Sequence, residues 1–149
     1  MSRDTHVVAA AIVEKDGRFL IVEERIDGEL KLNQPAGHWE DGETLVDAVK
    51  REALEESGWE VEPVALLGAY DFKPDHLDYG FLRFAFVCEP RRHHAGRKLD
   101  EGIERAVWLT REEISKRRSE HRSPALLACI DDYLAGRRYP LELVKHLSS

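Results

Sequence analysis

Three glutamates, Glu52, Glu55 and Glu56, fall within one turn of a segment that reads as a helix over residues 44–58. At about 100° per residue their carboxylates project into about a third of the helix circumference, and like charges at these spacings repel. In the same projection Leu45, Val49 and Ala53 form the apolar stripe, and Glu52 and Glu56 overlap its edge. Carboxylates placed there are crowded and partly desolvated, a costly arrangement unless a cation sits between them. Hard divalent ions such as Mg2+ take this kind of ligand, with waters and substrate phosphates completing the shell. The flanks favour an ordered site over a solvated acidic face. The preceding stretch NQPAGHWEDGE contains Pro35, Gly37 and Gly42, which exclude a helix and favour an ordered loop. Thr44 then offers an N-cap with Asp47 three residues on, and Gly58 stands where a helix ends. A glycine loop leading into an acidic helix can set a backbone carbonyl beside the carboxylates.

With these residues in place, the run GHWEDGETLVDAVKREALEESGW over residues 37–59 resembles a complete Nudix box. Gly37, Glu43, Arg51, Glu52, Glu55, Glu56 and Gly58 fill its polar and glycine positions, while Ala53 and Trp59 stand where the family usually carries bulky aliphatics. The resemblance implies an α/β/α sandwich in which a mixed sheet is flanked by helices. It also implies that Glu52, Glu55, Glu56 and the Gly37 carbonyl hold Mg2+, for which Mn2+ can substitute. A Glu43–Arg51 ion pair would orient helix and loop. The general base differs between members, and Glu52, Asp100, Glu101 and Glu104 are the candidates here. Similarity to the NudJ-type phosphatases of bacteria runs from about residue 6 to about residue 144, through residues 32–38, 81–84, Arg122-Ser123-Pro124 and residues 138–142. That implies release of the terminal phosphate from nucleoside di- and triphosphates, thiamine diphosphate and the diphosphate of its hydroxymethylpyrimidine precursor. Arg83, Asn33, Trp39, Phe72, Tyr79, Glu101 and Glu104 are the substrate-binding candidates. Arg83 could hold a phosphate bidentately or form a surface ion pair; the aromatic residues could stack a base ring or pack the core. Two other readings stay open. One is a Nudix pyrophosphohydrolase of oxidised nucleoside triphosphates, nucleotide sugars or dinucleoside polyphosphates; the other is a non-catalytic nucleotide-sensing module.

The elements that must carry these residues alternate between strand and helix. Residues 6–13 are apolar and β-branched, Lys15-Asp16-Gly17-Arg18 has the signature of a tight hairpin, and residues 19–24 answer as a second strand. Residues 61–72 read as extended, broken by Pro63 and Gly68. In residues 81–88, Leu82, Phe84, Phe86 and Cys88 share the face assigned to the core, with Arg83, Ala85 and Val87 opposite. Residues 103–109 predict a last strand, Thr110 with Glu113 a capping box, and residues 123–136 a final helix with Leu127, Ile130 and Leu134 buried. Residues 91–101 read as a loop. A length of 149 residues suits one domain spanning 1–149. With 22 basic against 29 acidic side chains and a net charge of −7, nucleic acid is disfavoured as a partner, leaving a small phosphorylated molecule. Neither a signal segment nor a membrane span is evident. The expectation is a soluble, cytoplasmic monomer or small homo-oligomer. Cys88 and Cys129 lack the spacing of a zinc or redox pair and read as reduced core residues.

Overall fold

The structure, a computed structural model, describes residues 4–148. Strand β1 (Thr5–Lys15) turns at Asp16 and Gly17, with φ of 52° and 79°, into β2 (Arg18–Ile26). Positive φ at both central residues gives a turn whose twist matches that of the strands. A second Asp-Gly pair, Asp27 and Gly28, repeats the device with φ of 51° and 81° and leads into β3 (Glu29–Asn33). The rest follows as β4 (Ala36–His38), α1 (Leu45–Ser57), β5 (Trp59–Phe72), β6 (Gly80–His93), β7 (Ile103–Leu109), α2 (Arg111–Lys116) and α3 (Ala125–Leu134).

The strands are ordered β3-β2-β1-β6-β5, with β1 and β6 parallel and the remaining neighbours antiparallel. β1 and β2 pair only beside their turn, at Glu14↔Phe19 and Lys15↔Arg18. Beyond it they part: β4 pairs with β1, and β7 pairs with β2. This fork in the sheet makes room for a cleft. Helix α1 covers one face, burying Ala48, Val49 and Ala53 against Ala9, Ala11, Leu20 and Phe86. Helices α2 and α3 cover the other, with Ile114, Leu126, Cys129 and Ile130 against Ile12, Leu32, Leu67 and Val87. The mixed sheet between helical layers is the expected α/β/α arrangement. Both cysteines are free and buried. Among the described residues no helix is long and apolar enough to cross a membrane.

Several local expectations change. Residues 36–38, inside the stretch expected as an ordered loop, form a strand because backbone pairing with β1 outweighs the breaking tendency of Gly37, and residues 29–33, most of which carry no expectation from sequence, pair with β2. Both faces of β6 are core: Ala85 and Val87, and Arg83 at 3% exposure, lie under α3, while Phe86 and Cys88 face α1. A sheet covered on both faces erases the alternation expected of a half-buried strand. In α3 the buried residues are Ala125, Leu126, Cys129 and Ile130, with Leu127 partly buried; Leu134 is exposed at the C-terminal end. Residues 91–93 belong to β6, so the loop is shorter than expected. Pro63 and Gly68 do interrupt β5, at register shifts opposite β6.

Candidate active site

Helix α1 begins and ends as its sequence predicts. The Thr44 side chain accepts from the Asp47 N–H at 3.0 Å, and Gly58 closes the helix at φ 76°. At its centre is Arg51. Its Nε and Nη2 donate to the two Glu43 oxygens at 3.0 and 2.8 Å, its Nη1 donates to Glu52 at 2.7 Å and to Glu55 at 2.9 Å, and Nη2 also reaches the His38 carbonyl at 3.0 Å. Glu43 in turn accepts from the Glu40 N–H, while its own carbonyl accepts from the Trp39 indole. One guanidinium thus ties the 38–43 loop to the acidic face of α1, and the Arg51 side chain holds the Glu43 carboxyl below the usual carboxylate range. The carboxylates raise the Arg51 pKa further, so it stays charged.

The acids differ in how they are neutralised. Glu52 is 8% exposed; burial raises its pKa while Arg51 opposes the rise. Glu55 shares the same Arg51 nitrogen. Asp100 comes from the loop before β7, where its N–H donates to the Glu55 carbonyl at 2.9 Å; burial and the Glu55 charge raise its pKa. Carboxylate oxygens of Glu52, Glu55 and Asp100 all lie within 4.8 Å of one another. Glu56 stands apart. Its Oε1 accepts from the Ala36 N–H at 3.0 Å, and burial pushes its carboxyl up to about 8. Gly37 packs directly against Glu52: a Cβ at position 37 would lie 2.1 Å from the Glu52 carboxyl carbon. A close-set group of hard oxygen donors, with a backbone cradle that admits no side chain, fits a divalent cation.

The fork in the sheet opens into a cleft of about 650 Å³ that Gly37, Glu52 and Glu56 share with Asn33, Phe72, Tyr79 and Arg83. Phe72 stacks on Phe81 at 5.3 Å, and Tyr79 stacks on His6 at 4.3 Å. The sequence therefore brings together most of its candidates, but not all. Trp39, 46% exposed, serves the 39–43 loop and does not line the cleft. Glu104 pairs with Arg25 at 3.1 Å, and neither it nor Glu101 lines the cleft. Of the four candidate bases, Glu52 and Asp100 remain with the acidic group. Gln34, Glu24 and His38 are among the contributors not anticipated. Gln34, 1% exposed, accepts from Arg83. Glu24 lines the cleft on β2. His38 sits 2.9 Å from His6, and burial together with the His6 charge lowers its pKa. A buried glutamine has no sequence pattern of its own, although its place just before Pro35, at the end of a strand, marks a backbone bend.

Known proteins agree with this geometry. The Nudix domain family matches residues 3–128 of the chain. Phosphatase NudJ of Shigella boydii serotype 4 (strain Sb227) is 41% identical over 140 residues, covering 93% of this chain and 90% of that protein. Phosphatase NudJ of Escherichia coli (strain K12) is 40% identical over 140 residues with the same coverage. A solved structure of a Nudix hydrolase from Nitrosomonas europaea superposes with a TM-score of 0.94 at 41% identity, covering 97% of this chain and 98% of that one. The chain belongs to the Nudix family and is a Nudix hydrolase of the kind represented by the bacterial phosphatase NudJ.

Proposed function

We propose that the chain is a Mg2+-dependent phosphatase of small phosphoanhydrides, releasing orthophosphate from nucleoside di- and triphosphates and from thiamine diphosphate or its hydroxymethylpyrimidine diphosphate precursor. The observation that carries this reading is the meeting, in one cleft, of Glu52 and Glu56 of α1 with a buried arginine and an aromatic wall, with Glu55 and Asp100 beside Glu52 outside the cleft's lining. Hydrolysis of a diphosphate needs water in line with phosphorus and neutralisation of the phosphoryl oxygens. Glu52, Glu55, Glu56, Asp100 and the Gly37 carbonyl are the groups to hold Mg2+, which supplies charge neutralisation and an activated water when bound. Arg51 and Glu43 keep those ligands in place. Glu52 and Asp100, which stand together in the acidic group, are the candidates to take the proton from the attacking water. Phe72 and Tyr79 offer ring faces to the heterocycle. The relatives named NudJ support the phosphatase product over pyrophosphate release.

Incubation with nucleoside di- and triphosphates, thiamine diphosphate, hydroxymethylpyrimidine diphosphate, a nucleotide sugar and a dinucleoside polyphosphate, with and without Mg2+, tests the reading by phosphorus NMR. Orthophosphate as the first product, followed by attack on the resulting diphosphate, is the expected result. Pyrophosphate as the only inorganic product would overturn the phosphatase reading and leave a Nudix pyrophosphohydrolase.

A further inference from the structure

Arg83 is a buried cation with neutral partners. It sits on β6 in register with Val8 of β1 and Tyr70 of β5, and is 3% exposed. Its Nη1 donates to Gln34 Oε1 at 2.6 Å and, weakly, to Cys129 Sγ at 3.9 Å; its Nη2 donates to Asn33 Oδ1 at 2.7 Å. Its Nε has no partner among the described residues. None of these bonds goes to a carboxylate. The other well-placed arginines behave differently: Arg51 holds Glu43, Glu52 and Glu55, and Arg117 holds Glu23 and Glu120. A buried charge without a counter-ion is costly, and so is a buried donor without an acceptor. The partners of Arg83 are themselves fixed. Gln34 Nε2 donates to the Leu126 carbonyl of α3 at 2.8 Å, and Asn33 Oδ1 also accepts from the Gln34 N–H at 3.0 Å. That last bond turns the chain at the end of β3 and lets two consecutive residues present oxygens to one guanidinium.

A second guanidinium is tied to the same segment. The Arg122 N–H donates to the Leu32 carbonyl at 2.9 Å, and its side chain, 44% exposed, donates through Nη1 to Glu24 at 3.0 Å. Arg83, Asn33, Arg122 and Ser123 all line the cleft that Glu52 and Glu56 also line. Arg122 keeps its other donors for a further acceptor.

We infer that Arg83 and Arg122 form a binding site for a phosphoryl anion that needs no metal, on the side of the cleft built by β3, β6 and the start of α3. This rests on reading the cleft as the substrate site, and it divides that site in two. The acidic group on α1 takes the phosphate through a cation. The arginine pair takes a neighbouring phosphate of the substrate, or the product, directly through charge-assisted hydrogen bonds.

The test uses inorganic phosphate as probe, in EDTA, with sodium chloride of equal ionic strength as control, read by thermal shift and by calorimetric titration. Phosphate stabilises the parent beyond the chloride control. Arg83→Gln binds it at least tenfold more weakly, and Arg122→Gln severalfold more weakly. Glu52→Gln, which removes a carboxylate of the acidic group, retains the phosphate response. Because Arg122 is half exposed, its variant folds and keeps the test decisive even where Arg83→Gln does not fold. Equal shifts in phosphate and chloride, or unchanged phosphate binding in Arg122→Gln, overturn the assignment. Hydrolysis in Mg2+ without phosphate binding in EDTA removes this site and leaves the proposed activity standing; phosphate binding without hydrolysis does the reverse.

Discussion

Glu56→Gln isolates the one glutamate of the acidic turn that Arg51 does not bond. The expectation from sequence is that all three glutamates of the turn repel one another in the metal-free protein. In the structure Arg51 bridges Glu52 and Glu55, so the unfavourable energy concentrates on Glu56, whose carboxyl rises from 4.5 to about 8 mainly through burial. A raised carboxyl binds its proton more tightly in the folded state. Its contribution to stability is therefore complete below about pH 4.5 and is lost as pH climbs through about 8. At about 1.4 kcal/mol per pH unit, the parent loses about 3 kcal/mol by pH 7 relative to a variant that cannot ionise there. Glutamine keeps the shape and an oxygen for the Ala36 N–H. In EDTA the parent and Glu56→Gln should melt alike near pH 5, and the variant should melt higher by on the order of 10 °C near pH 8, given about 2–4 °C per kcal/mol for a chain of this size. Differential scanning fluorimetry across that range measures it. The variant should also lose the stabilisation that Mg2+ gives by mass action. Parallel pH profiles for the two proteins, or a variant that melts lower at pH 8, would refute the reasoning.

Other perturbations follow from the same contacts. Gly37→Ala sets a Cβ 2.1 Å from the Glu52 carboxyl carbon, so kcat should fall on the order of a hundredfold with circular dichroism unchanged; a rate within threefold of the parent would mean the cradle is soft. Arg51→Lys loses the two-pronged bond to Glu43 and the bridge between Glu52 and Glu55, and should cost about 2 kcal/mol in urea denaturation. Asp100→Asn should raise the Mg2+ concentration needed for half-maximal activity about tenfold or more, the scale seen when a metal's supporting ligand is removed. An unchanged Mg2+ requirement would leave Asp100 as a loop anchor through its N–H alone.

Local rules made much of this molecule legible. Thr44, Gly58, Thr110 and the Asp16-Gly17 pair each meet a backbone need that only their residue type meets well, and the caps and the turn appear where those residues stand. The acidic turn of α1 projects as helical geometry requires. What escaped depends on contacts far apart in the chain. β3 follows an Asp27-Gly28 turn as plain as the first, yet its strand is confirmed only by pairing with β2; β4 owes its strand form to β1. Arg83, left by its sequence between a phosphate ligand and a surface ion pair, proves to be buried against Cys129 of α3. Leu134 looks buried by its spacing, but as the last residue of α3 it is exposed. Asp100 is among the candidate bases from sequence, but the bond from its N–H to the Glu55 carbonyl, which joins it to the acidic group, is a link of long sequence separation that no local pattern encodes.

The claim that the acidic group on α1 binds the divalent ion used in hydrolysis is tested most directly by Mn2+ titration with electron paramagnetic resonance, run beside phosphate-release rates on a nucleoside diphosphate over the same Mn2+ range. For the parent, the concentration that half-fills the site and the concentration that half-activates hydrolysis should coincide. In Glu52→Gln both should shift upward together by about tenfold to a hundredfold. Unaltered Mn2+ binding in that variant, or binding and activation that move independently, would contradict the account.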